Sequence, residues 1–372
     1  MAGQEKAAEL GFGRPAALAN AAVPKQPSRT HNFATLDGLR GIAALAVVTF
    51  HYQDMLGPFV FRSAYLAVDL FFLMSGVVIT HAYEHRLAQG MTVSDFMAKR
   101  IIRLMPLYLA GLGVGTAVAM TGLLFAGSGW TWGTLLPVVL CGALLLPNLF
   151  PAPRADLYPL DIPCWSLFWE LLINLAYALS LRWLKPGMVI AMAMLAQAAL
   201  AVAAWHAGGL DFGSNWQRPE IGLLRVAAGF STGIVLARLL AAGRLWHIRM
   251  PPWLILIAAS MLFALPTWLG WIKDALCVML AFPLLCITAL HSEPRWSKPY
   301  LWLGLVSYPL YVIHATLPWD RLVKIGHVSA ESLAPWSGLL AIAGAVIVAW
   351  GLARFYDAPL RCRLARWGRA AP

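Results

Sequence analysis

Runs of apolar residues near the length of a membrane span recur along most of this chain. They lie at about residues 34–52, 60–81, 104–122, 165–183, 187–205, 221–240, 252–270, 275–291, 300–317 and 336–354, with short polar stretches between them. Crossing a hydrocarbon core about 30 Å thick takes about 20 helical residues, so each run predicts a transmembrane helix. One more apolar stretch, 134–150, is shorter, is interrupted by Pro137 and ends at Pro147. Residues 1–33 break the pattern. They are rich in Ala, Pro and Gln, carry Lys6, Arg14, Lys25 and Arg29, and hold no apolar core long enough for a signal peptide. They read as a disordered tail. The resulting organisation is a tail at 1–33, a membrane domain at 34–361 and a basic tail at 362–372.

Basic residues orient this pattern. If 134–150 does not cross the membrane and the N-terminus is inside, 20 of the 28 Lys and Arg residues fall in inner segments and 6 in outer ones. If 134–150 does cross, every later loop changes side and the split becomes 13 against 13. Membrane insertion favours Lys and Arg on the cytoplasmic side, which selects the first arrangement. The fold class is therefore an all-α polytopic membrane protein of about ten transmembrane helices with both termini cytoplasmic. The stretch 134–150 is expected to be re-entrant or to lie at the outer interface.

Composition agrees and narrows the classes. The chain is 60% hydrophobic and 12% charged, about half the charge of a soluble domain. Its net charge of +11 is scattered between apolar runs rather than clustered on one soluble face, which argues against a nucleic-acid partner. The five cysteines are odd in number and form no CxxC pair, so neither a disulfide framework nor a zinc site is expected. No P-loop, HExxH, GxSxG or Rossmann fingerprint is present.

The candidate chemistry lies in the few ionisable residues inside the spans, where such groups are costly and point to function. Arg40 and His51 share the first run, LDGLRGIAALAVVTFH. Their separation is about 1100° of helix, roughly 20° past three turns, so both lie on one stripe with about 16 Å of rise between them. His51 suits a general base, against the alternative of an interfacial His at a helix end. Arg40 can hold a phosphate or shape a polar pore, or it can snorkel to the inner surface and pair with Asp37. Asp69 sits among apolar neighbours and needs a buried partner, for which Arg40 is the nearest in sequence. In FMAKRIIRLMPLY, Arg100 and Arg103 stand one turn apart and can grip one anion together, or they can be ordinary inner-face charges. Glu170 in WSLFWELLIN can orient a His or pair with an Arg. His314 ends LGLVSYPLYVIH, as a pore residue or a hydrogen-bonded structural one. His51, Glu170 and His314 are expected to share the outer level.

These segments, in this order, resemble the acyltransferase-3 family of integral membrane O-acyltransferases. The resemblance covers roughly residues 33–361. It rests on FATLDGLRGIAALAVVTFH with its Arg-x10-His, on VDLFFLMSGVVIT, FMAKRIIRLMPLY, WSLFWELLIN, LGLVSYPLYVIH and the late YDAPLR. Asp357 stands where that family more often has Glu, and Lys99 precedes Arg100 where two arginines are common. No hydrolase-like domain follows the last run, so the chain is expected to present its acceptor directly or to receive it from a partner.

The resemblance implies an acyl-CoA-dependent O-acyltransferase of the bacterial inner membrane. It would move an acyl group, usually acetyl, from cytoplasmic acyl-CoA to a hydroxyl of a cell-surface or exported glycan or lipid-linked sugar. It implies His51 as base or acyl relay, with Glu170 orienting the acceptor or the histidine. Arg100 and Arg103 would hold CoA phosphates, while Arg40, Asp69 and His314 shape and orient the pore. Acyl-CoA would be a co-substrate, with no bound cofactor and no metal. The other class compatible with buried charges and about ten spans is a proton-coupled transporter, although no inverted repeat is visible.

Overall fold

The computed structural model describes residues 33–126, 129–319 and 331–370. The expected N-terminal tail lies outside these residues except for Phe33, as do Arg321 and Lys324 of the expected outer loop. Among the described residues the protein is helical, without a β-ladder beyond one isolated bridge between Asp156 and Asn215. It is a polytopic all-α membrane protein.

Each of the ten expected runs contains a helix, although the helix of 252–270 ends at Ala264 after 13 residues. The helices used below are α1 Ala34–His51, α2 Ala67–Ala88, α3 Val93–Thr121, α4 Trp132–Ala143, α5 Trp165–Ser180, α6 Pro186–Ala207, α7 Pro219–Ala241 and α8 Pro252–Ala264. They continue with α9 Thr267–Leu290, α10 Ser297–Ile313, α11 Trp336–Gly351 and α12 Ala358–Ala370. Seven helical segments among the described residues are long and apolar enough to cross a membrane. Helix α3 begins three turns before the apolar run predicts. Thr92 caps it by accepting the Asp95 N–H at 3.0 Å, and Phe96 is fully buried. The capped extension carries Lys99, Arg100 and Arg103 as part of a rigid helix rather than a loop.

The 134–150 stretch does not form a span-length helix. Its helix α4 has 12 residues, about 18 Å of rise against a core of about 30 Å. The chain then turns back through Leu145, which adopts φ +52°. Tyr108 donates to the carbonyl of Gly142 at 2.6 Å and Tyr158 to that of Leu145 at 2.8 Å. These two hydroxyls tie the hairpin to the bundle.

Close helix approach is made by small residues, as in membranes generally. Helix α2 crosses α7 where Gly76 faces the Phe230 carbonyl and Gly233 faces the Leu73 carbonyl, and neither position has room for a Cβ. Helix α1 meets α10 in the same way, with Gly41 against Leu303.

The α2–α7 contact also holds a fully buried ion pair, and here the sequence expectation needs correction. Asp69 does not pair with Arg40. Its partner is Arg225 of α7, 156 residues away, whose Nη2 donates at 2.7 Å and whose Nε donates at 3.0 and 3.2 Å to the two carboxylate oxygens. The remaining donors reach the carbonyls of Tyr65 at 2.7 Å and Phe212 at 2.9 Å. Arg40 lies within the first two turns of α1 and Asp69 within the first turn of α2, so the two stand at opposite ends of antiparallel helices. Breaking one partner of such a pair strands a charge in a dry site, at a cost of about 3–5 kcal/mol. Arg225→Met is therefore expected to lower the unfolding midpoint of the detergent-solubilised protein strongly. Asp69→Leu combined with Arg225→Met should recover part of that loss. A double variant no more stable than Arg225→Met would show that the carbonyl contacts, not the stranded carboxylate, dominate.

Candidate active site

Two cavities lie back to back within the bundle. The first, about 670 Å³ counting its open mouth, is lined among others by Arg40 of α1, Ser75 of α2, Arg100 and Arg103 of α3, Glu170 of α5 and Tyr308 of α10. Arg100 donates to Glu170 Oε1 at 2.7 Å, and Ser75 donates to the same oxygen at 3.0 Å. The guanidinium of Arg103 lies over the Tyr308 ring at 6.0 Å. That ring is fixed by its own hydroxyl, which donates to the Leu104 carbonyl at 2.5 Å. Arg40 makes only a long 3.4 Å contact with Asp37 and stays one-third exposed. Three guanidiniums thus face one carboxylate, leaving the cavity with an excess of positive charge and forked donors suited to phosphate.

The second cavity, about 540 Å³ on the same measure, is lined among others by His51, Tyr65, Trp165, Asp211, Phe212 and Arg225. Val68 and Tyr311 line both cavities and stand between them. The Tyr311 hydroxyl is held by the Pro163 carbonyl and Ser166 Oγ, both at 2.8 Å.

His51 is accessible in this cavity and pairs with the fully buried His314, whose Nε2 lies 3.2 Å from His51 Nδ1. The backbone contacts assign the ring protons. His314 Nδ1 is 3.0 Å from the Leu310 carbonyl, and His51 Nδ1 is 3.0 Å from the Val47 carbonyl. A carbonyl can only accept, so both Nδ1 atoms carry hydrogen in the neutral pair. His314 Nε2 then accepts from His51, and His51 Nε2 keeps its lone pair. Tyr52 completes the support by donating to the His314 carbonyl at 2.7 Å. The arrangement leaves one oriented basic nitrogen at the His51 edge.

A second buried ionic cluster adjoins this cavity through Tyr65. Lys273 Nζ reaches Ser63 Oγ at 2.5 Å, Asp274 Oδ1 at 3.0 Å and the Tyr65 hydroxyl at 3.0 Å. Tyr65 donates in turn to Asp274 at 2.8 Å. Asp211 lies in the loop between α6 and α7. Burial raises its carboxyl above the ordinary range, Arg225 lowers it, Asp274 raises it and Lys273 lowers it again.

The structure brings His51 and His314 together, and Arg40, Arg100 and Arg103 together. It does not place Glu170 with the histidines. Of the two roles expected for Glu170 it shows the arginine pairing, because the carboxylate turns toward α3 and α2 rather than toward α1. Asp69 supports the second cavity only through Arg225. Arg225, Lys273, Asp274 and Asp211 were missed as site residues. The available signal was an arginine inside the apolar run 221–240, as informative as Arg40, and an adjacent Lys–Asp pair at the head of another run.

A family model described as an acyltransferase domain matches residues 33–354. Protein 2 in the picA locus of Rhizobium radiobacter is 38% identical over 168 residues, covering 42% of this chain and 84% of its own length. BcsY of Komagataeibacter xylinus, a candidate membrane-bound transacylase, is 24% identical over 331 residues, covering 79% of this chain and 74% of its own. The exopolysaccharide production protein ExoZ of Rhizobium meliloti is 28% identical over 278 residues, covering 71% and 80%. No solved structure matches the chain.

The proton assignment is directly measurable. Histidine ¹⁵N shifts are expected to show Nδ1–H tautomers for both rings at neutral pH, and His51 should keep the Nδ1–H form in His314→Ala, because the Val47 carbonyl still accepts that proton. An Nε2–H form of His51 in the intact protein would remove the basis for its use as a base.

Proposed function

The chain belongs to the acyltransferase-3 family of integral membrane acyltransferases, and we propose that it moves an acyl group, acetyl in the simplest case, from cytoplasmic acyl-CoA to a hydroxyl of an exported or cell-surface polysaccharide. The observation that carries this reading is the pair of adjoining cavities: a basic one, and one that presents an oriented imidazole nitrogen, with Val68 and Tyr311 shared between them. The names of two relatives, a candidate transacylase and an exopolysaccharide production protein, support the reaction and the acceptor class. The bias of basic residues supports a cytoplasmic opening for the first cavity, and the membrane-length helices fit the bacterial inner membrane as the site of action.

In this reading the phosphates of CoA bind at Arg40 and Arg103, with Arg100 held in place by Glu170. The pantetheine arm passes between Val68 and Tyr311 and brings the thioester beside His51. The acceptor hydroxyl gives its proton to His51 Nε2 as its oxygen attacks the thioester carbonyl. The carbon–sulfur bond then breaks, and the imidazolium returns the proton to the CoA thiolate. One proton moves from oxygen to sulfur, and the acyl group moves the other way. General-base assistance of this kind contributes about 10²–10⁴ in rate. Glu170 acts here as a positioning residue for Arg100.

His51→Ala is expected to abolish acyl incorporation into surface polysaccharide while the protein still accumulates in the membrane. Incorporation at the normal level would remove His51 from the chemistry. Arg103→Ala should raise the KM for acyl-CoA by about tenfold or more, the worth of one charge-assisted contact, with little change in the KM for the acceptor. Val68→Trp should leave acyl-CoA binding intact and stop transfer. Unimpaired transfer in that variant would show that the donor does not cross between Val68 and Tyr311.

A further inference from the structure

We propose that Asp211, with the aromatic wall beside it, is the recognition site for the acceptor, and that it selects a neutral sugar ring over an anionic one. The proposal rests on the acyl-transfer reading for its consequence, but its argument comes from the second cavity itself.

Asp211 lines that cavity and is exposed to it. Among the described residues its carboxylate has no hydrogen bond or ion pair, unlike Asp69 and Asp274, which are both fully occupied. The backbone on either side is pinned. The Leu210 N–H donates to Asp274 Oδ2 at 2.8 Å, the Phe212 carbonyl accepts from Arg225 at 2.9 Å, and the Ser214 carbonyl accepts from the Leu157 N–H at 2.9 Å. Both buried ionic clusters therefore hold the loop that carries Asp211, while the side chain itself is left free. A fixed carboxylate with unused lone pairs is an acceptor for hydroxyl donors.

The walls complete the site. Phe50 packs edge-on against His51 at 5.5 Å and against Tyr65 at 6.0 Å, and Phe212 stands beside Asp211. Aromatic walls with a few placed polar groups describe a small-molecule pocket, and the volume is in that range. A sugar ring offers C–H faces to the rings and hydroxyls to the carboxylate. The charge balance sets the class. Arg225 is neutralised by Asp69, and His51, as a base, is neutral before it takes a proton. Among the described residues that line the cavity, the unmatched charge is then that of Asp211, which repels a uronate or a phosphorylated sugar. The first cavity has the opposite excess. The two cavities thus sort an anionic donor from a neutral acceptor.

The test is saturation-transfer NMR on the purified full chain with methyl β-D-glucopyranoside and methyl β-D-glucuronide, which differ by one carboxylate. The wild type is expected to bind the neutral glycoside and to bind the glucuronide at least about tenfold more weakly. Asp211→Ala should weaken the neutral glycoside by about tenfold, and the isosteric Asp211→Asn should narrow the discrimination between the two. Equal binding of both sugars by the wild type, binding of neither, or neutral binding unchanged in Asp211→Ala would each overturn the proposal. Acetyl transfer from acetyl-CoA to polysaccharide, measured in membranes, separates the two readings. Asp211-dependent sugar binding without any transfer removes the proposed reaction and leaves the sugar site. Transfer with an unchanged acceptor KM in Asp211→Ala removes the sugar site and leaves the reaction.

Discussion

The geometry of the second cavity depends on one buried ion pair. Asp69 and Arg225 join α2 to α7 in a place where neither can meet water. An isolated pair of this kind adds little net stability, because desolvation offsets the attraction. Its contribution here is register. The guanidinium is held by a carboxylate on α2, by the carbonyl of Tyr65 just before α2, and by the carbonyl of Phe212 in the loop before α7. One planar fork fixes two helices and a loop. The glycine crossing deeper in the same interface lets the backbones approach, and the ion pair stops them from sliding along each other.

The same fork determines what lines the second cavity. Tyr65 and Phe212 are placed through their own carbonyls, and Tyr65 is held again at its hydroxyl by Lys273 and Asp274. Charges that are satisfied among themselves leave the cavity wall electrically quiet except at Asp211. The first cavity follows the opposite rule. Arg100 is matched by Glu170 and Arg40 loosely by Asp37 at 3.4 Å, but Arg103 has no carboxylate partner among the described residues. Unmatched charge therefore marks each cavity with its own sign. Val68 and the tethered Tyr311 keep those two fields apart.

Much of the fold was legible from periodicity and length, because the bilayer sets a length that apolar runs must meet. The basic-residue bias set 134–150 apart from the other runs, and the helix there has 12 residues, too few to cross. Arg40 and His51 were legible because charge inside an apolar run has few explanations. The pairings were not. Asp69 and Arg225 lie 156 residues apart, and sequence proximity suggested Arg40, whose depth on α1 is wrong for the contact. Glu170 was expected at one level with His51 and His314, but it lies with Arg40, Arg100 and Arg103 in the other cavity. The rotation of α5 turned its carboxylate to Arg100 instead of His51. Asp211 carries no motif at all. Its meaning comes from a loop held open by contacts with α7 and α9.

The histidine pair shows how the membrane setting constrains the choice of an orienting group. A carboxylate beside His51 would fix its tautomer equally well and would stabilise the imidazolium. In this bundle it would also add a further buried anion to a wall that already holds Asp69, Asp274 and Asp211. It would hold the proton on His51 after attack, when the leaving thiolate needs it. A neutral imidazole accepts the same hydrogen bond without a permanent charge. His314 can do this because Leu310, one turn earlier in α10, ties up its other nitrogen. A base that must take a proton and soon give it back is better served by that weaker, uncharged partner.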